Sequence, residues 1–151
     1  MDRDALIAQY RTAADAFAAA FDGLTEAQLD HQPADGGWTA RKVAHHVADS
    51  ETNSYIRLRR LVAEDDPLII GYDEELWSSR LHYDRPVASA LAVVVAVRAA
   101  SLDLLLSLSP EEWDRKGRHS EAGEYTLDRW LSIYANHPLE HAQQVRDALL
   151  G

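Results

Sequence analysis

The sequence predicts an all-α fold, a four-helix bundle, on three observations. Apolar residues recur at intervals of three and four over four long segments, and capping or chain-breaking residues bound those segments. At 151 residues and 46% hydrophobic content, the chain fits a single domain, residues 1–151, built on one core.

From about Arg3 to Phe21 the stripe Leu6, Tyr10, Ala13, Ala14, Phe17, Phe21 marks an amphipathic first helix that ends near Gly23. Leu24 to Gln32 reads as a further short turn of helix, after which Pro33 and Gly36-Gly37 break the chain. Thr39 is suited to cap a second helix, Ala40 to Ala63, whose inward stripe is Val43, Val47, Ser54, Leu58 and Leu61. The segment Glu64 to Arg85, punctuated by Pro67 and Gly71 and followed by Pro86, is long for a link between antiparallel helices. Asp73 to Leu81 has the length for a short helix within it, and such a long crossover lets helices two and three run parallel.

The third helix, Pro86 to Leu108, is apolar on nearly all sides. Val93, Val94, Val95 and Val97 would suit a strand, but the length and the surrounding Ala and Leu favour helix. A helix with no polar face must be covered on more than one side, and the expected covers are the bundle core and a second subunit. Ser109-Pro110-Glu111-Glu112 opens another short turn, Lys116 to Glu124 reads as a loop or small hairpin, and Thr126 caps a fourth helix, Leu127 to Leu150.

Composition excludes several functions. Fifteen basic residues against 25 acidic ones give a formal charge of −10, which repels nucleic acid backbones and anionic membrane surfaces. With no cysteine, any metal must be held by His, Asp or Glu. The N-terminus Met1-Asp2-Arg3-Asp4-Ala5 leads into an amphipathic pattern, so no export signal is expected. The longest apolar stretch, Ala90 to Val97, is short for a bilayer span, and Arg98 and Asp103 interrupt its continuation. A cytoplasmic protein is expected. There is no nucleophile elbow, P-loop or dinucleotide fingerprint.

The chemistry concentrates in histidines. His137 and His141 stand four apart on the fourth helix and continue its apolar stripe, Leu127, Trp130, Leu131, Tyr134, Val145 and Ala148. Two readings fit: a pair of core histidines bonded to polar neighbours, or two ligands of one metal ion. Buried imidazoles left unpaired cost about 1–3 kcal/mol per group, which a metal would relieve. On the second helix His46 lies at the edge of the inward stripe and His45 is turned about 100° away, so one of the two can face a partner helix, against the reading that both simply flank the core.

Asp49, one turn after His46, is a candidate to orient a ligand ring or accept a proton, against the plainer reading of a solvated carboxylate. Asn53 and Arg57 continue the line of His46 and are candidates for a polar or anionic substrate or cofactor group; an exposed helix edge is the competing reading. Trp38, Trp77, Trp113 and Trp130 read as packing residues, and His31, His82 and His119 as solvent-facing unless their loops fold over the site.

The run His137-Pro138-Leu139-Glu140-His141 also has the H-x-x-E-H form of the inverted zinc peptidases, with Glu140 as general base. Only ten residues follow His141, with Asp147 their one acidic residue, so that reading lacks its natural third ligand. Pro138 removes a helix hydrogen bond and predicts a kink beside His137.

The stretch Gly37-Trp38-Thr39-Ala40-Arg41-Lys42-Val43-Ala44-His45-His46-Val47-Ala48-Asp49-Ser50 resembles the signature of the DinB/YfiT-like metalloprotein superfamily, most nearly its YfiT branch. The likeness continues through Asn53-Ser54-Tyr55-Ile56-Arg57, Tyr72-Asp73-Glu74-Glu75-Leu76-Trp77, Thr126-Leu127 and the His137/His141 pair, and so spans nearly the whole chain. Pro138 departs from the pattern expected inside the final helix.

The resemblance implies a homodimeric four-helix bundle with one divalent metal per subunit, zinc or nickel, held by His46, His137 and His141, and makes His45 a neighbour. For activity it implies either metal-dependent hydrolysis or transfer of a low-molecular-weight thiol such as bacillithiol or mycothiol. Both use an open metal position to lower the pKa of a bound group. The leading expectation is thiol S-transfer to an electrophilic small molecule, with Glu140 or Asp49 as candidate proton acceptors. Hydrolysis is the alternative, and a non-catalytic, stress-associated metal-binding bundle the rival from another class.

Overall fold

Helices begin where a short polar side chain replaces the missing backbone acceptor, and Asp2, Thr39 and Thr126 each accept from an amide of the turn they open. In the computed structural model, which describes residues 2–150, the chain runs α1 (Arg3–Ala19), α2 (Glu26–Leu29), α3 (Ala40–Ala63), β1 (Leu68–Ile69), α4 (Glu74–Arg80), α5 (Ala88–Ser107), α6 (Pro110–Trp113), β2 (Lys116–His119), β3 (Gly123–Thr126) and α7 (Leu127–Ala148). The four long helices, α1, α3, α5 and α7, are the expected ones, each ending within a residue or two of the predicted limits.

Their directions follow from the contacts. Arg3 pairs with Asp128 and Gln9 donates to the Ala135 carbonyl, so α1 and α7 lie side by side and parallel. At one end of the bundle Val43, Val47, Ala90, Val94, Phe17 and Val145 form one apolar cluster. At the other end Leu58, Leu61, Leu105, Tyr10, Trp130 and Leu131 form a second. Early residues of α3 therefore meet early residues of α5, and late meet late, as the long crossover predicts. The bundle is two parallel pairs set antiparallel to each other.

A polar layer separates the two apolar clusters. Its centre is an ion pair between Arg98 of α5 and Glu51 of α3 at 3.0 Å, with side chains 2% and 0% exposed. Arg98 also donates to the carbonyls of Tyr134 on α7, at 2.9 Å, and Tyr10 on α1, at 2.8 Å, and its guanidinium lies 3.7 Å above the Tyr10 ring. One side chain thus ties all four helices. The Tyr134 carbonyl is free because the residue four further on is Pro138, which has no N–H to give it. Arg98 supplies the missing donor, and α7 runs on through Pro138 without a break.

The segment Lys116 to Glu124, expected as a loop or hairpin, is a hairpin: β2 pairs antiparallel with β3, Gly117 facing Tyr125. Unforeseen is β1, from the crossover, which pairs parallel with β2. Gly117 allows that pairing, because a Cβ there would run into the Pro67 carbonyl. The crossover is further held by Tyr83, which is buried, stacks on His45 and donates its hydroxyl to Asp49. The strap and hairpin cover the side of the bundle where α3 faces α7.

α5 packs on α1 and α3, yet its outer surface remains apolar, with Val93, Val95 and Leu106 39%, 40% and 56% exposed. By length and composition it would also cross a membrane, with a mean hydropathy of 2.0 over its best window. Arg98, projecting inward from its middle, belongs to the bundle's polar layer.

Removing one partner of a buried pair leaves the other charge uncompensated. Arg98→Met is therefore expected to lower unfolding stability by about 3–5 kcal/mol, and Arg98→Met combined with Glu51→Leu to recover much of that loss. Urea unfolding followed by circular dichroism checks both.

Candidate metal centre

α3 and α7 face each other across the polar layer and bring His46, His137 and His141 together, with one ring nitrogen from each within 4.8 Å of the others. The ring centroids of His46 and His141 are 4.8 Å apart, those of His137 and His141 4.6 Å. Among the described residues no carboxylate joins the cluster.

Two of the rings are oriented through Nδ1. Glu51 Oε1 lies 3.0 Å from His137 Nδ1, and Gln144 Oε1 lies 2.7 Å from His141 Nδ1. Both oxygens only accept, so each Nδ1 carries the proton and each Nε2 keeps its lone pair for a ligand. His46 is 3% exposed, the edge of Trp38 packs on it at 5.0 Å, and its Nδ1 is buried without a hydrogen-bond partner. A cation among the three rings would take one nitrogen of each imidazole as a ligand.

Burial, followed by the neighbouring imidazoles, depresses the His46 pKa to about 3; burial and His137 bring His141 to about 4. Both are neutral near pH 7, the state in which imidazole binds a metal. Three neutral nitrogens fit a borderline divalent ion such as Zn²⁺ or Ni²⁺, with a coordination position left open.

Two cavities flank the cluster. One, of about 460 Å³, is lined by Pro33, Trp38, Glu140, Gln144 and Asp147. The other, of about 240 Å³, reaches His137 itself and is lined by Arg57, Tyr72, Tyr134 and His119 among others.

The remaining sequence candidates fall in different places. Glu140 is exposed on the wall of the larger cavity, outside the histidine cluster. The Asp49 carboxylate accepts from Tyr83 and holds the crossover to α3. Asn53 donates to the Asp49 carbonyl along its own helix. Arg57 faces the smaller cavity, donating to the Tyr134 hydroxyl at 3.0 Å and the Ile70 carbonyl at 3.2 Å. His45 points its Nε2 at the Arg85 carbonyl, 3.0 Å away.

His31 and His82 are exposed, whereas the hairpin folds over the site and brings half-buried His119 to it, its pKa lowered by burial and then by Arg57. Trp113 and Trp130 are buried packing residues, and Trp77 lies against Tyr72.

The residues missed from sequence are Glu51 and Arg98. A glutamate in mid-helix reads as surface, and Arg98 reads as an interruption of an apolar run. Two signals pointed to them: a lone arginine in the most apolar helix, and a proline that frees a carbonyl on the facing one.

Fold and cluster together define a helical bundle with a three-histidine centre of metal-binding type. The chain belongs to the DinB superfamily, whose model matches residues 9–145. It is 37% identical to a protein of Oceanobacillus iheyensis named "putative metal-dependent hydrolase", over 81% of this chain and 71% of the relative. A Bacillus mycoides protein of the same designation is 36% identical, over 85% and 74%. The solved structure of YfiT from Bacillus subtilis, described as a probable metal-dependent hydrolase with an unusual four-helix bundle topology, superposes with a TM-score of 0.89 at 30% identity, covering 97% of this chain and 85% of that one.

Partners that orient a ligand histidine typically change metal affinity by about 10–100-fold when removed. Glu51→Gln keeps the size of the side chain but not its charge, and is expected to weaken zinc binding within that range while the helical circular dichroism is retained. Competition with a chromophoric chelator measures it.

Proposed function

We propose that this protein is a divalent-metal-dependent enzyme in which His46, His137 and His141 hold Zn²⁺ or Ni²⁺, and a low-molecular-weight thiol of the bacillithiol or mycothiol type is transferred to an electrophilic small molecule. The observation that carries this reading is the convergence of three imidazoles with no fourth protein ligand among the described residues. A divalent ion there supplies Lewis acidity, lowering the pKa of a group at its open position.

The chain's own residues supply the rest. Glu51 and Gln144 hold two rings with Nε2 free. Trp38 shields His46 from water. No carboxylate is placed as a free base beside the cluster: Glu51 is engaged by Arg98 and His137, Asp49 by Tyr83, and Glu140 faces solvent. A nucleophile here must lose its proton with little help from a side chain. Bound to such an ion, a thiol starts from about 8.5 and water from about 15.7, so the thiol needs the smaller shift to ionise near pH 7, and this favours the thiol reading. Hydrolysis is the second reading, favoured by the designations of the relatives.

Protein purified without a nickel column and reconstituted with Co²⁺ tests both. Wild-type protein is expected to bind one equivalent and His137→Ala to lose that binding. A sulfur-to-metal charge-transfer band on adding cysteine or another small thiol supports transfer. Absence of the band together with ester or amide turnover supports hydrolysis in its place.

We also propose a homodimer formed through α5. Its outer face carries Ala92, Val93, Ala96, Ala99, Ala100 and Leu106 exposed, a surface more apolar than an isolated subunit normally leaves in water. Val93→Glu combined with Leu106→Glu is expected to shift sedimentation from dimer to monomer with helicity retained.

A further inference from the structure

The smaller cavity contains an arginine with spare hydrogen-bonding capacity. A guanidinium has five N–H donors in a fixed fork. Arg57 directs one bond to the Tyr134 hydroxyl and one to the Ile70 carbonyl, and no carboxylate lies within ion-pair distance of it among the described residues. The buried guanidiniums are paired, Arg41 with Asp30 and Glu26 and Arg98 with Glu51, whereas Arg57 is half-buried and faces a cavity. The two protein bonds fix Arg57 without neutralising it.

Its position relates it to the histidine cluster. Tyr134, which accepts from Arg57, has its ring 5.8 Å from the His137 ring, and Arg57, Tyr134 and His137 all line the same cavity of about 240 Å³. On the wall of this cavity Tyr72 carries a buried hydroxyl with no hydrogen-bond partner. Glu74 and Glu121 are exposed at its rim. The lining thus holds one half-buried cation and two solvent-exposed carboxylates whose charge water and salt screen, so an anionic group is favoured only in direct contact with Arg57.

We infer that this cavity binds a small ligand bearing a single carboxylate, with Arg57 as its counter-ion and the ligand's reactive end directed to His137. The inference rests on the three-histidine reading only for the reactive end; the carboxylate contact stands on Arg57. Arg57 is a specificity-determining residue in this scheme. A planar carboxylate accepts two parallel N–H bonds from such a fork, which a hydroxyl of the same reach cannot.

The test uses the full chain loaded with Co²⁺ and two probes of equal length, 3-mercaptopropionate and 3-mercaptopropanol, each titrated by calorimetry and by the cobalt spectrum. Wild-type protein is expected to bind the carboxylate about tenfold more tightly. Arg57→Gln is expected to bring the ratio close to one with cobalt affinity and melting temperature unchanged, and Arg57→Lys to keep part of the preference.

Equal affinities in the wild type, a preference that survives Arg57→Gln, or no binding of either compound overturns the inference. Failure to bind cobalt overturns the metal reading beneath it. A calorimetric preference that depends on Arg57, without a charge-transfer band, supports the carboxylate site and rejects the thiol function.

Discussion

The contact on which the rest of this bundle depends is the buried pair of Arg98 and Glu51. Desolvating two charges is expensive, and a pair of this kind commonly contributes little net stability over apolar residues of similar volume. Its value here is geometric. Glu51 has one oxygen on Arg98 and the other on His137, while Arg98 takes up carbonyls from both α1 and α7. The helix spacing, the rotation of α7 and the orientation of the His137 ring are therefore set by one network. Pro138 is part of it: the carbonyl it leaves without a helix partner is the one Arg98 uses. A proline that would ordinarily cost about 3 kcal/mol in a helix interior is offset by a donor from the opposite side of the core.

The network also explains what was legible in the sequence. Helix period, caps and breakers are local, and so the four long helices, the crossover and the late hairpin could be read from residues such as Thr39, Pro67 and Thr126. For the site, the stripe of the last helix turns His137 and His141 inward, periodicity leaves His45 and His46 open, and it is the family resemblance that implies His46. Glu51 and Arg98 could not be read, because each looks misplaced alone: an acid where the helix faces its core, and a base within an apolar run. Only their meeting makes either reasonable, and that meeting is a property of helix packing. The strand β1 was hidden for a similar reason, since a two-residue strand has no period and forms only against the hairpin edge.

Topology then decides what the site can reach. Two parallel helix pairs require a crossover that spans the length of the bundle, and here that crossover is fastened by Tyr83 to Asp49 and by β1 to the hairpin. The fastened segment closes one side of the histidine cluster and, with the hairpin, forms the wall carrying Tyr72 and His119. On the other side a wider cavity lies between α7 and the loop around Pro33 and Trp38, lined by Trp38 and Gln144, the neighbours of His46 and His141, and by none of the three histidines. This connection leaves two unequal cavities beside the centre, a narrow one that reaches His137 and carries Arg57, and a wider one with no cation in its lining.

Charge distinguishes the two cavities further. The chain carries a formal charge of −10, yet its centre is not negative: Glu51 is balanced by Arg98, and the three imidazoles are neutral ligands. A divalent cation held there would keep nearly its whole charge uncompensated by protein, so the site would attract an anionic group to the open position. In the narrow cavity Arg57 adds a second positive charge, with exposed Glu74 and Glu121 in the same lining, whereas the wide cavity is lined by Glu140, Asp147 and Asp35. Of the two linings only the narrow one carries a cation, so direct contact with Arg57 is what distinguishes it for an anionic group.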